Sequence, residues 1–325
     1  MASKDRFRES ISKVGIVQRF TRWLDAMPRP PIAIEIAWDR ISAVRWSRAG
    51  SVEEFAVEAI PAGAIVPSAV ETNIADAAGV RSAMSAVCSR IHASDEDATL
   101  LLPDPVVRVF VQHFDEFPRL PQEAVPMLRW KLKKSVPFDM ADTVLSYVRQ
   151  AAQENGVDVV TAIARLRVVR EYEELLESAG VRAGVVSSSS LAALALLEDS
   201  HSTLLARISD QALTTAIVRD GVLCGFRCTE LPARGVELTP KILLDEIYPI
   251  AAYYQDSWHA TIESVCVSGI AGRFREFVQP MESEFHCKVR PLLDTAAAGG
   301  RVPESARPLA DNGLDGLVGC MLSRV

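Results

Sequence analysis

Short runs of alternating hydrophobic and polar residues, separated by turn residues, dominate the first part of the chain. Residues 32–38, 41–47 and 55–60 alternate with a period of two, which is typical of half-buried β-strands. The short turns between them predict an antiparallel meander. Apolar residues at helical spacing over 75–91 predict a helix, and the apolar run 99–102 predicts a buried strand.

The same order of elements recurs further along the chain. Asp220-Gly221 predicts a hairpin turn inside the second meander, because both turn positions favour positive φ. Two copies of meander, helix and strand predict two related lobes. The second copy comprises strands over 204–208, 213–218 and 223–228, a helix over 243–255, a strand over 264–267 and a helix over 274–285.

A mixed α/β segment lies between the two copies. It combines predicted strands at 106–114, 144–149 and 157–164 with a basic helix at 123–135, and a helix over 168–178 then returns the chain to the first lobe. The predicted division is a basic amphipathic N-terminal helix (1–30), subdomain 1A (31–103 and 166–199), an inserted subdomain (104–165) and the second lobe (200–325).

The N-terminal segment has an apolar stripe over residues 3–27, in which basic residues outnumber acidic ones. A basic amphipathic helix can lie on an anionic membrane surface. It can equally well pack against its own domain, and the sequence leaves both interpretations open.

Composition narrows the function classes. Hydrophobic residues make up 49% of the chain and charged residues 24%, which is typical of a globular protein. The net charge of −7 gives no reason to expect nucleic-acid binding. No apolar run reaches the roughly 18 residues of a membrane span. The cysteines and histidines fit neither a disulfide framework nor a metal site, so a cytoplasmic protein without a metal is predicted.

Several short motifs stand out along the chain. They are Leu102-Pro103-Asp104, Arg129-Trp130, Lys131 to Lys134, Pro137-Phe138-Asp139, Tyr147, Tyr253-Tyr254 and Val267-Ser268-Gly269. These motifs resemble those of the PilM family, which belongs with FtsA in the actin-like ATPase superfamily and acts in type IV pilus assembly. The resemblance implies an actin-like (ribonuclease H-like), bilobed α/β fold with an inserted α/β subdomain in lobe 1. It also implies that the chain binds ATP in the cleft and the cytoplasmic N-terminal peptide of PilN, a bitopic inner-membrane protein.

The nucleotide loops depart from the family pattern. Where the first phosphate loop of the family has Asp-x-Gly, this chain has Glu35-Ile36-Ala37, and bulky or charged residues follow. In the second loop an arginine replaces the carboxylate, and in the adenosine loop an isoleucine replaces a glycine. A phosphate–magnesium site needs small residues and fixed carboxylates. The altered cleft positions are Glu35, Ala37, Trp38, Asp39, Arg207, Ser209, Gly269 and Ile270.

These departures predict a pseudo-ATPase that needs no cofactor, with ATP and magnesium bound only if the loops are rearranged. The short connection 231–239 also predicts that subdomain 2B is reduced or absent.

The resulting hypothesis is a cytoplasmic scaffold, peripheral to the inner membrane, that binds a PilN-like peptide against the inserted subdomain. Leu132, Phe138 and Tyr147 are predicted to line the peptide pocket. Arg129 and Lys133 are predicted to guide the peptide towards it through their charge. One alternative is a divergent actin-like ATPase of pilus assembly. Another is an actin-like protein of the type II secretion platform, although those chains continue into a membrane helix. Membrane contact through the N-terminal helix is a further hypothesis.

Overall fold

A computed structural model describes residues 30–153, 156–198, 201–209, 212–231, 237–270 and 272–323 of the chain. The N-terminal helix predicted within residues 1–30 lies outside the described residues. Among the described residues, no helix is both long enough and apolar enough to cross a membrane.

The first lobe is built on a five-stranded sheet with the order β3-β2-β1-β4-β8. The central strand β1 pairs antiparallel with β2 and parallel with β4. All five residues of β1 are buried, because helices and loops cover both faces of the sheet centre. Its strands are β1 (Ile32–Ile36), β2 (Arg40–Trp46), β3 (Val52–Ala59), β4 (Asp97–Leu102) and β8 (Arg182–Ser188).

The second lobe repeats this arrangement with the order β11-β10-β9-β12-β13. Here β9 pairs antiparallel with β10 and parallel with β12, as β1 does with its neighbours. The internal repeat predicted from the sequence is therefore confirmed. The strands are β9 (Thr203–Ser209), β10 (Ala212–Arg219), β11 (Val222–Glu230), β12 (Ser264–Ser268) and β13 (Lys288–Pro291).

A three-stranded antiparallel sheet, with the order β5-β7-β6, is inserted between β4 and β8 of the first lobe. Helix α2 packs on one face of this sheet through Ala124, Leu128 and Leu132, which are fully buried. The elements are β5 (Arg108–Phe114), α2 (Pro121–Leu132), β6 (Thr143–Gln153) and β7 (Gly156–Arg165).

The remaining helices cover the two large sheets. Helix α4 begins at the N-cap Ser188, whose side chain accepts a hydrogen bond from the backbone of Leu191. The helices are α1 (Ala77–Arg90), α3 (Leu166–Glu177), α4 (Ser189–Ala193), α5 (Pro240–Trp258), α6 (Phe274–Phe285), α7 (Leu292–Ala298), α8 (Arg307–Asp311) and α9 (Asp315–Leu322).

Turn chemistry fixes the second meander as predicted. Asp220 and Gly221 have φ values of 49° and 73°, which matches a hairpin turn with two left-handed positions. Strand β11 ends at Glu230 and α5 begins at Pro240, which leaves room only for the short connection in place of a 2B subdomain. The first strand is shorter than predicted and ends at Ile36, because the chain turns at 37–39.

Candidate functional site

Arg207 lies where the two lobes meet. It is in β9, beside Thr214 of β10 and Ser268 of β12. Its side chain is only 8% exposed, and it points at the end of β1 in the other lobe, where its Nη2 is 3.1 Å from Oε1 of Glu35. The two positions that the sequence aligns with the carboxylates of the phosphate loops are therefore in direct contact.

Two further carboxylates complete a buried cluster around the guanidinium. Nε of Arg207 donates to both carboxylate oxygens of Asp315, at 3.1 and 3.0 Å, and Nη2 donates to Oδ1 at 2.9 Å. Nη1 lies 3.3 Å from Oδ2 of Asp104. Such fork-shaped contacts are the strong form of an ion pair, because several charge-assisted hydrogen bonds share one fixed geometry. We call Glu35, Asp104, Arg207 and Asp315 the Arg207 cluster.

Neutral donors hold two of these carboxylates in place. Asp104 accepts hydrogen bonds from the backbone and the hydroxyl of Ser190, and from Oγ1 of Thr214 at 3.0 Å. Asp315 accepts from the hydroxyl of Ser268 at 2.6 Å and from the backbone of Gly316 at 2.8 Å. The cluster and its neutral donors thus join β1 and a loop of the first lobe, three strands of the second lobe (β9, β10 and β12) and the helix α9.

The C-terminal helix α9 reaches this position because it contains glycine where it touches its neighbours. A Cβ on Gly319 would lie 2.2 Å from the carbonyl oxygen of Ala192 in α4. A Cβ on Gly316 would lie 2.7 Å from Oε1 of Glu35. The absence of both side chains lets α9 pack closely enough to place Asp315 beside Arg207.

Three carboxylates surround the single guanidinium, and the pKa values of Glu35 and Asp315 move in opposite directions. Burial raises the pKa of Glu35 above its usual 4.5, since the attraction of Arg207 does not compensate for it. Burial acts in the same sense on Asp315, but the charge and hydrogen bonds of Arg207 outweigh it and lower its pKa below 3.8. Glu35 also has one carboxylate oxygen, Oε2, without a hydrogen-bond partner. Glu35 therefore retains a proton more readily than Asp315.

Arg207 itself stays charged. Burial alone would lower its pKa, but Asp315, Asp104 and Glu35 together raise it above its usual value. A permanent cation occupies the centre of the cluster, and the nearby carboxylate oxygens are turned towards it. Among the described residues, no group of three or more His, Cys, Asp or Glu side chains could hold a metal ion. The described residues of this cluster therefore do not fit a magnesium–phosphate site.

The other predicted cleft residues lie at the ends of the same strands. Ala37, Trp38 and Asp39 form the half-buried turn between β1 and β2, and Ser209 ends β9. Gly269 follows β12 with φ of 85°, and a Cβ there would lie 1.8 Å from the carbonyl oxygen of Ile208. Ile270 is buried in the apolar core of the second lobe.

A second candidate site is an apolar groove between the inserted sheet and the first lobe. Strands β6 and β8 form its walls, at residues 144–148 and 186–188, and its volume is about 290 Å³. Val160, Ala162 and Ala164 of β7 contribute to its floor. Both β6 and β8 are the outermost strands of their sheets in the described part of the chain. We call this the β6–β8 groove.

The residues predicted for partner binding separate into different environments. Tyr147 of β6 borders the groove, but its ring packs on the α2 side of the inserted sheet, where it contacts Phe117 with centroids 5.6 Å apart. Leu132 is fully buried under α2, where Phe138 packs against the same small core. Arg129 is bonded to the backbone carbonyls of Met140 and Thr143, and Lys133 is exposed.

Several site residues were not singled out from the sequence. Asp104 belongs only to the motif Leu102-Pro103-Asp104, and Asp315 belongs to none of the motifs. A signal for Asp315 does exist, because it is an isolated carboxylate within the otherwise apolar run 314–321, and such a residue, when buried, needs a partner. The floor of the groove could not be found this way, since small apolar strand residues occur throughout the chain.

Neither protein-family models nor curated protein sequences match this chain. Solved structures do. The structure of the PilM–PilN type IV pilus biogenesis complex matches with a TM-score of 0.68 at 18% identity, over 91% of this chain and 98% of the other. The chain has an actin-like fold similar to that of PilM.

Other solved structures match this chain at TM-scores below 0.5. The cytoplasmic domain of EpsL, an inner-membrane component of the type II secretion system of Vibrio cholerae, has a TM-score of 0.49 at 11% identity, over 84% of this chain and 95% of the other. A protein of Bacteroides thetaiotaomicron with an actin-like ATPase fold and unknown function has a TM-score of 0.45 at 10% identity, over 80% and 90%. The match to PilM confirms the fold predicted from the sequence and supports the PilM-like resemblance.

Proposed function

We propose that this PilM-like chain is a non-catalytic scaffold that holds an extended cytoplasmic peptide of a PilN-like, bitopic inner-membrane protein in the β6–β8 groove. The chain would then act at the inner membrane as part of a pilus assembly platform. The observation that carries the proposal is an apolar groove whose two walls are outermost strands. The solved PilM–PilN complex supports the choice of partner, because it joins a protein of this fold to PilN.

The walls of the groove suit an extended peptide. An outermost strand has backbone N–H and C=O groups that no neighbouring strand of its own sheet uses, so a peptide can pair with it as an additional strand. The opposite edge of the inserted sheet, β5, lies against β11 of the second lobe. This leaves β6 as the edge that is open to a partner strand.

The lining of the groove predicts the chemistry of the peptide. The floor is formed by small apolar side chains such as Val160 and Ala162, which suit alternate apolar side chains of an extended segment. Among the described residues that line the groove, Glu173 of α3 is the one charged residue. A basic residue in the peptide would form an ion pair with Glu173, and an acidic residue at that position would be repelled.

The Arg207 cluster supports the non-catalytic part of the proposal. Hydrolysis of ATP requires a metal ion held by carboxylates and positioned against the phosphates. Here a fixed guanidinium engages Glu35, Asp104 and Asp315 within the protein. The cluster then has a structural role, because it fixes the two lobes and α9 relative to one another.

Ala162 and Ala141 provide a matched test. Ala162→Trp fills the floor of the groove, whereas Ala141→Trp adds the same side chain at an exposed position of the same subdomain outside the groove. The probe is a fluorescent synthetic peptide with the cytoplasmic N-terminal sequence of a PilN-like protein from the same organism. Anisotropy should show that Ala162→Trp weakens binding at least about tenfold, and that Ala141→Trp does not. Equal affinity of both variants, or no binding by the unaltered chain, would refute the proposal.

A further inference from the structure

The outward face of α2 carries the most exposed large hydrophobic side chain of the described residues. Trp130 is 81% exposed, although Leu128 and Leu132, two positions away on either side, are fully buried. Leu128 and Leu132, on the inward side, anchor the helix on the inserted sheet. The helix therefore cannot rotate to bury the indole, and Trp130 is held facing solvent.

Two unpaired cations stand next to this indole. Lys133 and Lys134 are exposed, and neither has a hydrogen-bond or ion-pair partner among the described residues. The neighbouring cations are engaged within the subdomain. Lys131 lies 3.8 Å from the centre of the Phe114 ring, and Arg129 is bonded to Thr143. Positive charge is thus concentrated beside Trp130 on a chain whose net charge is −7.

We propose that Trp130, Lys133 and Lys134 form a docking surface for an anionic lipid bilayer, which we call the α2 face. Tryptophan is favoured at the boundary between lipid headgroups and acyl chains, because its ring is largely apolar and its N–H remains polar. Lysines next to it gain from the negative potential of anionic lipids. An indole that projects from a convex helix can be buried only in a partner that it can enter. The boundary of a bilayer is such a partner, whereas a short peptide has no pocket for the ring.

The α2 face and the β6–β8 groove lie on opposite sides of the inserted sheet. Helix α2 packs against Val157 and Val159 of β7, whereas Val160 and Ala162 of the same strand face the groove. Alternate residues of a strand point to opposite faces, so a bilayer at α2 and a peptide in the groove do not compete. The proposal is independent of peptide binding and can fail without it.

Vesicle binding by the full chain tests the proposal. We expect the chain to co-sediment with vesicles made of equal parts phosphatidylcholine and phosphatidylglycerol, more than with phosphatidylcholine alone, and to be released by high salt. Lys133→Gln with Lys134→Gln should weaken binding to the mixed vesicles about 30-fold, because each lysine near an anionic surface contributes roughly a factor of five. Trp130→Ala should weaken it as well.

Matched controls separate the α2 face from general charge. Lys241→Gln with Lys288→Gln removes the same charge from exposed positions of the second lobe, and Tyr253→Ala removes an exposed aromatic ring from α5. Both controls should bind as the unaltered chain does. The basic N-terminal segment is present in every variant and contributes equally to all.

Three results would overturn the proposal. The first is equal vesicle binding by the Lys133 and Lys134 double variant and its control. The second is that Trp130→Ala leaves vesicle binding unchanged. The third is that the unaltered chain binds neither kind of vesicle but binds a polyglutamate peptide through the same lysines. Circular dichroism of each variant should match that of the unaltered chain, since all three side chains are exposed. A brominated phosphatidylglycerol should quench part of the tryptophan fluorescence in the unaltered chain, and less of it in Trp130→Phe.

Discussion

Arg207→Met removes the cation of the Arg207 cluster while preserving most of the volume of the side chain. Glu35, Asp104 and Asp315 would then remain in a site where their side chains are at most 4% exposed. Removing one partner from a buried ion pair costs about 3–5 kcal/mol of unfolding free energy, because the remaining charge is left uncompensated. The hydroxyl groups that serve Asp104 and Asp315 reduce this cost but do not replace a charge. We expect a loss in that range at neutral pH.

Glu35→Gln is the informative companion. The pKa of Glu35 is raised by burial, and its Oε2 has no partner, so neutralising this side chain should change stability by less than about 1 kcal/mol. Introduced into Arg207→Met, the same change should recover part of the lost stability, because one stranded carboxylate is removed.

Urea unfolding followed by far-UV circular dichroism measures these differences. Arg182→Met is the matched surface control, since Arg182 pairs with Asp97 at 2.9 Å while 65% exposed, and exposed pairs contribute little. An unfolding midpoint of Arg207→Met no lower than that of Arg182→Met would refute the reasoning. A loss for Glu35→Gln as large as that for Arg207→Met would refute it as well.

Three further predictions concern the same region. The folded-state pKa of Glu35 is raised, so its contribution to stability declines as pH rises above 4.5. Urea titrations at increasing pH should therefore show that the unfolding free energy of Glu35→Gln rises relative to that of the unaltered chain. The pKa of Asp315 is lowered, so its stabilisation of the fold is present above pH 3.8 and is lost as pH falls below that value. The loss of unfolding free energy in Asp315→Asn should therefore become smaller in acid, and a loss that is constant with pH would contradict this. Gly319→Ala should lower the unfolding free energy by about 1–3 kcal/mol in urea titrations, because its methyl group would lie 2.2 Å from the backbone oxygen of Ala192 and force α9 outward; unchanged stability would contradict that packing.

The repeated fold could be predicted from the sequence because its signals are local. Alternating strands and a turn such as Asp220-Gly221 depend on a few adjacent residues. The duplicated order of these elements then indicated two related lobes, which no single element could show. No strand was predicted at β8, because its sequence includes Gly184 and ends in serines, which are poor strand formers.

The Arg207 cluster could be predicted only in part. Sequence comparison with the family placed Glu35 and Arg207 at the altered phosphate loops, but not in contact. The residues joined to Arg207 are 172, 103 and 108 positions away in the sequence. No local pattern connects residues so far apart, and the short helix that carries Asp315 was not predicted.

The partner surface shows the same limit. Tyr147 and Leu132 were both predicted to line the peptide pocket. Tyr147 borders the groove, but its ring packs on the α2 side of the inserted sheet, and Leu132 is fully buried between α2 and the sheet. An apolar residue on a basic helix gives the same sequence signal whether it faces the core or a partner. The exposed side of that helix, with Trp130, required the structure to be recognised.

Isothermal titration of the full chain with ATP in the presence of magnesium tests the central claim most directly, namely that Arg207 and its carboxylates replace a nucleotide site. We expect no heat of binding for the unaltered chain at millimolar ATP, and none for Glu35→Ala. Micromolar binding by the unaltered chain that is lost in Glu35→Ala would contradict the account, because Glu35 would then serve a nucleotide and not the Arg207 cluster.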